Sequence, residues 1–174
     1  YVHAVAVTPD GLRAVSASDD NTLKVWDLEN GREIHTLAGH TSSVYAVAVT
    51  IDGLRAVSAS WDDTLKVWDL ERGREIHTLA GHTSYVHAVA VTPDGLRAVS
   101  ASGDNTLKVW DLESGREIHT LAGHTSYVKA VAVTPAGLRA VSASDDNTLK
   151  VWDLERGREI HTLIGHTNWV NAVA

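Results

Sequence analysis

Cysteine, methionine and phenylalanine are all absent from the 174 residues. Without cysteine there is no disulfide framework, no thiolate zinc site and no thiol nucleophile, and nothing speaks for an oxidising compartment, so a cytoplasmic location is the expectation. Positive charge is scarce as well. Fifteen Lys and Arg stand against 22 Asp and Glu, a net charge of −7 with both signs interleaved, and no basic stripe exists for a phosphate backbone. Neither a nucleic acid nor a membrane is an expected partner, because no apolar run approaches the roughly 20 residues of a membrane span. A secretory signal pattern is missing too, and the lack of an initial Met suggests a fragment or a trimmed chain.

What the chain does have is repetition. It divides into units of 42 residues, 1–42, 43–84, 85–126 and 127–168, followed by the stub 169–174, and 33 of the 42 positions are identical in all four units. Within a unit the apolar residues alternate with period two. Four short strands are predicted, a around Val2–Val7, b over Leu12–Ser18, c over Thr22–Trp26 and d over Arg32–Leu37. Turn residues separate them: Thr8-Pro9-Asp10-Gly11, Asp19-Asp20-Asn21, Leu28-Glu29-Asn30-Gly31 and Gly39-His40-Thr41-Ser42. Strand a is apolar on both faces, as expected of a strand buried on both sides, whereas strand d carries Arg32, Glu33, His35 and Thr36 and reads as an exposed edge defended by charge. A single four-stranded sheet cannot bury both its faces, so the units are expected to stack.

Gly39-His40 with Ser58-Ala59-Ser60-Trp61-Asp62, Thr64-Leu65-Lys66-Val67 and Trp68-Asp69 resembles the WD-repeat β-propeller family, and the pattern recurs at Gly81-His82 with Trp110-Asp111 and at Gly123-His124 with Trp152-Asp153. The resemblance implies an all-β propeller of four-stranded antiparallel blades, four per chain. It also implies a hydrogen-bonded network in each blade: His40, Ser58, Asp62 and Trp68; His82, Ser100, Asp104 and Trp110; His124, Ser142, Asp146 and Trp152. Ser60, two residues on, is the alternative to Ser58. The last set is split between the chain ends, with Ser16, Asp20 and Trp26 near the start and His166 near the finish. Either four blades close on themselves or His166 of one chain meets the other three residues in a second copy. With no Phe or Met to fill wide wedges, narrow wedges and many blades are expected, hence a homodimer closing an eight-bladed ring. Blades of a longer chain are a further route to closure.

Ten histidines raise the question of a metal, but pairs such as His35 and His40 lie five apart with no third ligand to complete a tetrahedron, so no metal or other cofactor is expected. Residues of the His35 type read as solvated. A Ser, His and Asp set repeated in every unit, with Trp as its fourth member, reads as structural rather than catalytic, and the chain is not expected to be an enzyme.

The positions that differ between units carry the remaining signal. Position one holds Tyr1, Ser43, Tyr85, Tyr127 and then Trp169; position three holds His3, Tyr45, His87 and Lys129; position nineteen holds Asp19, Trp61, Gly103 and Asp145. The resemblance places these on one rim of the ring, the docking face for proteins and peptides, and Tyr and Trp suit such anchoring. The alternative is neutral drift, since Ile51, Ala136, Asn30 and Ile164 vary elsewhere. The expected function is a non-catalytic protein or peptide interaction scaffold that self-assembles. The alternative is a fragment or consensus-designed repeat whose only activity is self-assembly. The stub 169–174 is a fifth copy of strand a, in register with Tyr1–Ala6, and the two compete for one slot at any chain junction.

Overall fold

A computed structural model describes residues 1–174 and contains sixteen strands in four antiparallel sheets, each paired in chain order. Blade 1 is β1 (Val2–Val7), β2 (Arg13–Ser18), β3 (Thr22–Asp27) and β4 (Arg32–Ala38); blade 2 is β5 (Val44–Val49), β6 (Arg55–Ser60), β7 (Thr64–Asp69) and β8 (Arg74–Ala80). Blade 3 is β9 (Val86–Val91), β10 (Arg97–Ser102), β11 (Thr106–Asp111) and β12 (Arg116–Ala122); blade 4 is β13 (Val128–Val133), β14 (Arg139–Ser144), β15 (Thr148–Asp153) and β16 (Arg158–Ile164). No helix is long and apolar enough to cross a membrane.

Local side chains set the turns. Asp10 accepts the Thr8 hydroxyl at 2.6 Å and the Leu12 N–H at 3.0 Å, so strand b begins at Arg13, one residue later than its apolar pattern suggests. Asp20 accepts the Thr22 N–H at 3.0 Å, and Asn21 between them takes φ 68, a left-handed conformation that Asn tolerates. Two bulges recur in every blade. Val2 pairs with Ser18 and Ala4 with Ala17, which leaves His3 as the extra residue of β1; Tyr45, His87 and Lys129 are its counterparts. Val25 pairs with His35 and Trp26 with Glu33, which leaves Ile34 as the extra residue of β4, with Ile76, Ile118 and Ile160 as counterparts. A bulge re-aims the side chain of its extra residue.

The core lies between blades. Val15, Ala17, Leu23, Val25 and Leu37 of blade 1 pack against Val44, Ala56, Trp68 and Leu70 of blade 2, and the same interface recurs between blades 2 and 3 and between blades 3 and 4. Within one chain the four blades do not close into a ring of their own: no core joins blade 4 to blade 1. Val2 is consequently 68% exposed where Val44, Val86 and Val128 are at 0%, and Leu163 is 45% exposed where Leu37, Leu79 and Leu121 are at 1%.

Two expectations change. Strand a is not buried on both sides: Tyr45–Val49 of β5 are half-buried and β1 is largely exposed, because the inner strand is a sheet edge with no further strand beyond it. The stub 169–174 forms no strand. Its one ladder-like bond runs from the Val170 N–H to the Ser144 carbonyl at 3.1 Å, and Val170 is buried while Trp169 is 66% exposed.

Candidate functional site

One end of the blades carries the loops between strands d and a and the turns between b and c. There His40 bonds through Nδ1 to Asp62 Oδ2 at 2.7 Å and through Nε2 to Ser58 Oγ at 2.7 Å, and the Trp68 indole N–H donates to the same Oγ at 2.8 Å. The corresponding distances are 2.7, 2.7 and 2.9 Å for His82, Ser100, Asp104 and Trp110, and 2.6, 2.7 and 2.8 Å for His124, Ser142, Asp146 and Trp152. The hydroxyl in the network is Ser58, fully buried. Ser60 instead donates to the Ser42 carbonyl at 3.1 Å and accepts the Asp62 N–H at 3.1 Å.

The glycine before each histidine has its own reason. A Cβ at Gly39 would stand 3.2 Å from the Trp68 ring and 3.0 Å from Glu75 Oε2, so these side chains would have to give by a few tenths of an ångström to admit one. The terminal set is incomplete: Trp26 donates to Ser16 Oγ at 2.9 Å and Asp20 holds its own turn, while His166 is exposed and bonds to neither.

Burial raises the Asp62, Asp104 and Asp146 carboxyls, but hydrogen bonds from the adjacent His, Thr hydroxyl and backbone N–H outweigh it and hold all three well below the ordinary range, Asp146 at about 2. Burial pushes His124 down against the pull of Asp146. These are anchored groups with no approach for a substrate, since each hydroxyl is at 0% exposure and already receives an indole N–H.

The variable positions meet on the same rim. His3 stacks on Tyr45 with centroids 4.3 Å apart, Tyr45 on Trp61 at 4.8 Å and Trp61 on Tyr85 at 5.0 Å, with interplanar angles of 22°, 15° and 22°. This ladder crosses blades 1 to 3. It continues more loosely from His87 to Tyr127 at 6.3 Å and to Lys129, whose Nζ lies 5.2 Å from the Tyr127 ring and 3.5 Å from Asp145. At the near end His3 holds Asp19 at 2.5 Å, and its hydrogen bond is the main reason that the Asp19 carboxyl falls to about 2. Burial and then Lys129 push His87 down against the opposing pull of Asp145. The Trp61 indole N–H is buried with no partner, as is Oδ1 of Asp145. Tyr85 and Tyr127 remain half exposed, but Tyr1 and Trp169 stand in solvent outside the ladder.

The WD domain, G-beta repeat (WD40) pattern matches residues 1–27, 31–69, 73–111 and 115–153. The chain belongs to the WD40 family. Among similar WD40 proteins, F-box/WD repeat-containing protein 7 of Drosophila melanogaster is 60% identical over 35 residues, 20% of this chain and 3% of that protein. Autophagy-related protein 16 of Arabidopsis thaliana is 48% identical over 40 residues, 23% of this chain and 8% of that protein. Dynein assembly factor with WD repeat domains 1 of Xenopus laevis is 46% identical over 41 residues, 24% of this chain and 10% of that protein. The matched segments therefore span a tenth or less of these relatives, about one blade each.

The histidines of strand d were expected to be solvated, and the WD40 blades use them otherwise. His35 Nε2 meets the Glu71 carbonyl of the next blade at 3.1 Å, and its ring covers Gly73; His77 and His119 do the same at Glu113 and Glu155. They latch blade to blade at the outer edge. No signal in the sequence marks this, because the acceptor is a main-chain carbonyl 36 residues away.

Proposed function

We propose that the chain is a non-catalytic scaffold that docks a protein or peptide partner on the aromatic ladder. The observation that carries this is the continuous stack from His3 through Tyr45 and Trp61 to Tyr85, built from positions that differ between otherwise matching blades. Three of its four members reach the rim from a bulge or a turn. A pre-stacked aromatic ladder offers apolar area at little cost in side-chain entropy, with Tyr85 half exposed at its end. A random peptide library panned on the immobilised chain tests it. Peptides enriched on the wild type should be lost on Trp61→Ala and Tyr85→Ala variants that keep their β-sheet circular dichroism; enrichment that survives both variants sinks the reading and favours drift at these positions.

A second reading concerns assembly, and the two uncovered blade faces favour it. Trp26 lacks the histidine that each other network has, and His166 lacks the rest of a network. We propose that two chains close an eight-bladed ring, His166 of each completing the Ser16, Asp20 and Trp26 set of the other. Further blades of a longer chain would satisfy the same faces. A cytoplasmic address for the scaffold rests only on the missing cysteine.

A further inference from the structure

At the opposite end of the blades from the aromatic ladder, a groove of about 450 Å³ opens between blades 1 and 2. Four carboxylates line it, Asp10, Asp27, Glu29 and Glu71, against a single cation, Arg13, which is spent on the Gly53 carbonyl at 3.0 Å. Between them lie Leu12 and Leu54, both more than half exposed, and Ile34, the bulge residue of β4 turned into the groove. Apolar surface ringed by an excess of negative charge matches a ligand that is aliphatic and cationic together.

The repeats identify which cation. Unit position 30 is Asn30 in blade 1, Arg72 in blade 2, Ser114 in blade 3 and Arg156 in blade 4. Arg72 Nη1 reaches Asp69 Oδ2 at 3.0 Å and Arg156 Nη1 reaches Asp153 Oδ2 at 2.9 Å, so in those blades the chain supplies a guanidinium to its own carboxylate. The groove on blade 2 is correspondingly smaller, about 300 Å³, and Arg72 lines it. In blade 1 the equivalent Asp27 Oδ2 receives only the neutral Asn30 amide, at 2.8 Å, and although Arg32 faces Asp27 across the ladder no guanidinium is in ion-pair contact with it.

We propose that the groove between blades 1 and 2 docks a peptide carrying an arginine next to an aliphatic residue. The guanidinium takes at Asp27 and Glu29 the place that Arg72 takes at Asp69, and the aliphatic side chain settles on Leu12, Ile34 and Leu54. Arginine is favoured over lysine because its planar fork can meet two carboxylate oxygens at once. Position 30 then separates the open groove of blade 1 from those of blades 2 and 4, which their own Arg fills, while in blade 3 Ser114 Oγ donates to Asp111 at 2.7 Å and no comparable groove forms.

A blocked leucyl-arginine amide titrated into the full chain, followed by backbone amide shifts, tests this. Saturating shifts at Leu12 and Leu54 are expected, with about tenfold weaker binding of the citrulline analogue, which keeps the shape but loses the charge. Asn30→Arg should abolish the shifts, and Arg72→Asn should create a second set at Ile76. Both are surface changes, and unmoved indole N–H signals of the buried tryptophans will show that the blades are intact. Shifts that persist in Asn30→Arg, or no second site in Arg72→Asn, overturn the proposal and leave unspecific ionic attraction. Trp61→Ala should not alter the titration, which separates this site from the ladder.

Discussion

Ser58 shows what a single buried hydroxyl holds together. It accepts from Trp68 and meets His40, so Ser58→Ala strands two polar groups in a dry place, at a cost of about 1–3 kcal/mol. Ser16 has the same tryptophan bond but no histidine, and Trp26 is only half-buried. Urea unfolding at low protein concentration should therefore give a clearly smaller loss for Ser16→Ala than for Ser58→Ala; equal losses would mean that the histidine link contributes nothing. The spacing of Gly-His, Ser, Asp and Trp made these residues legible beforehand. The choice between Ser58 and Ser60 was not, because the two share one face of β6 and only the depth of each in the blade separates their roles. His35 was misread for a related reason, its partner being a carbonyl that carries no side-chain signature.

At the scale of strands and blades, period-two alternation and turn residues were sufficient for four strands per unit, with ends displaced by one residue where Asp10 draws the chain into its turn. The bulges were harder to read. Strand a is Ala and Val at both parities, so nothing in the pattern reveals that His3 and Tyr45 leave the ladder; in strand d, Ile34 and Leu37 are three apart, a spacing that a regular strand would send to opposite faces. Docking between blades has its own weak point at Gly73. Its φ is +64, and a Cβ there would lie 2.6 Å from the His35 ring, whereas Gly31, at φ +66, has nothing within 4 Å. Alanine at either site carries a left-handed penalty of about 1–2 kcal/mol. Gly73→Ala must also push His35 off the Glu71 carbonyl, so thermal unfolding should show it to be the worse of the two by about 1 kcal/mol. In a His35→Ala background, Gly73→Ala should cost only the backbone penalty; a strictly additive double variant would show that the latch is not what Gly73 protects.

For the whole molecule the decisive feature is the pair of uncovered faces, one bearing Val2, Val5 and Val7 at 55–68% exposure and the other Leu163 and Ile164. Soluble chains seldom leave such apolar faces to water, and this carries the proposal that copies associate. Residues 169–174 already lean on the second face: the Val170 N–H bonds the Ser144 carbonyl, and Val173 and Ala174 border an apolar pocket against Val133 and Val141. Val170 is the sequence counterpart of Val44, Val86 and Val128, each buried against the blade before it, and Val2 of a second copy would need the same place. The stub is then a competitor of ring closure. Deleting residues 169–174 should strengthen dimerisation, seen in sedimentation as a shift from the 18.7 kDa chain mass toward twice that value at lower protein concentration. His166→Ala in the shortened chain should reverse part of the gain, because the Ser16 and Trp26 set would again lack its histidine. Were the deletion instead to weaken association, the stub would be bridging copies rather than blocking them, and the first strand of each chain would be the one displaced at the junction.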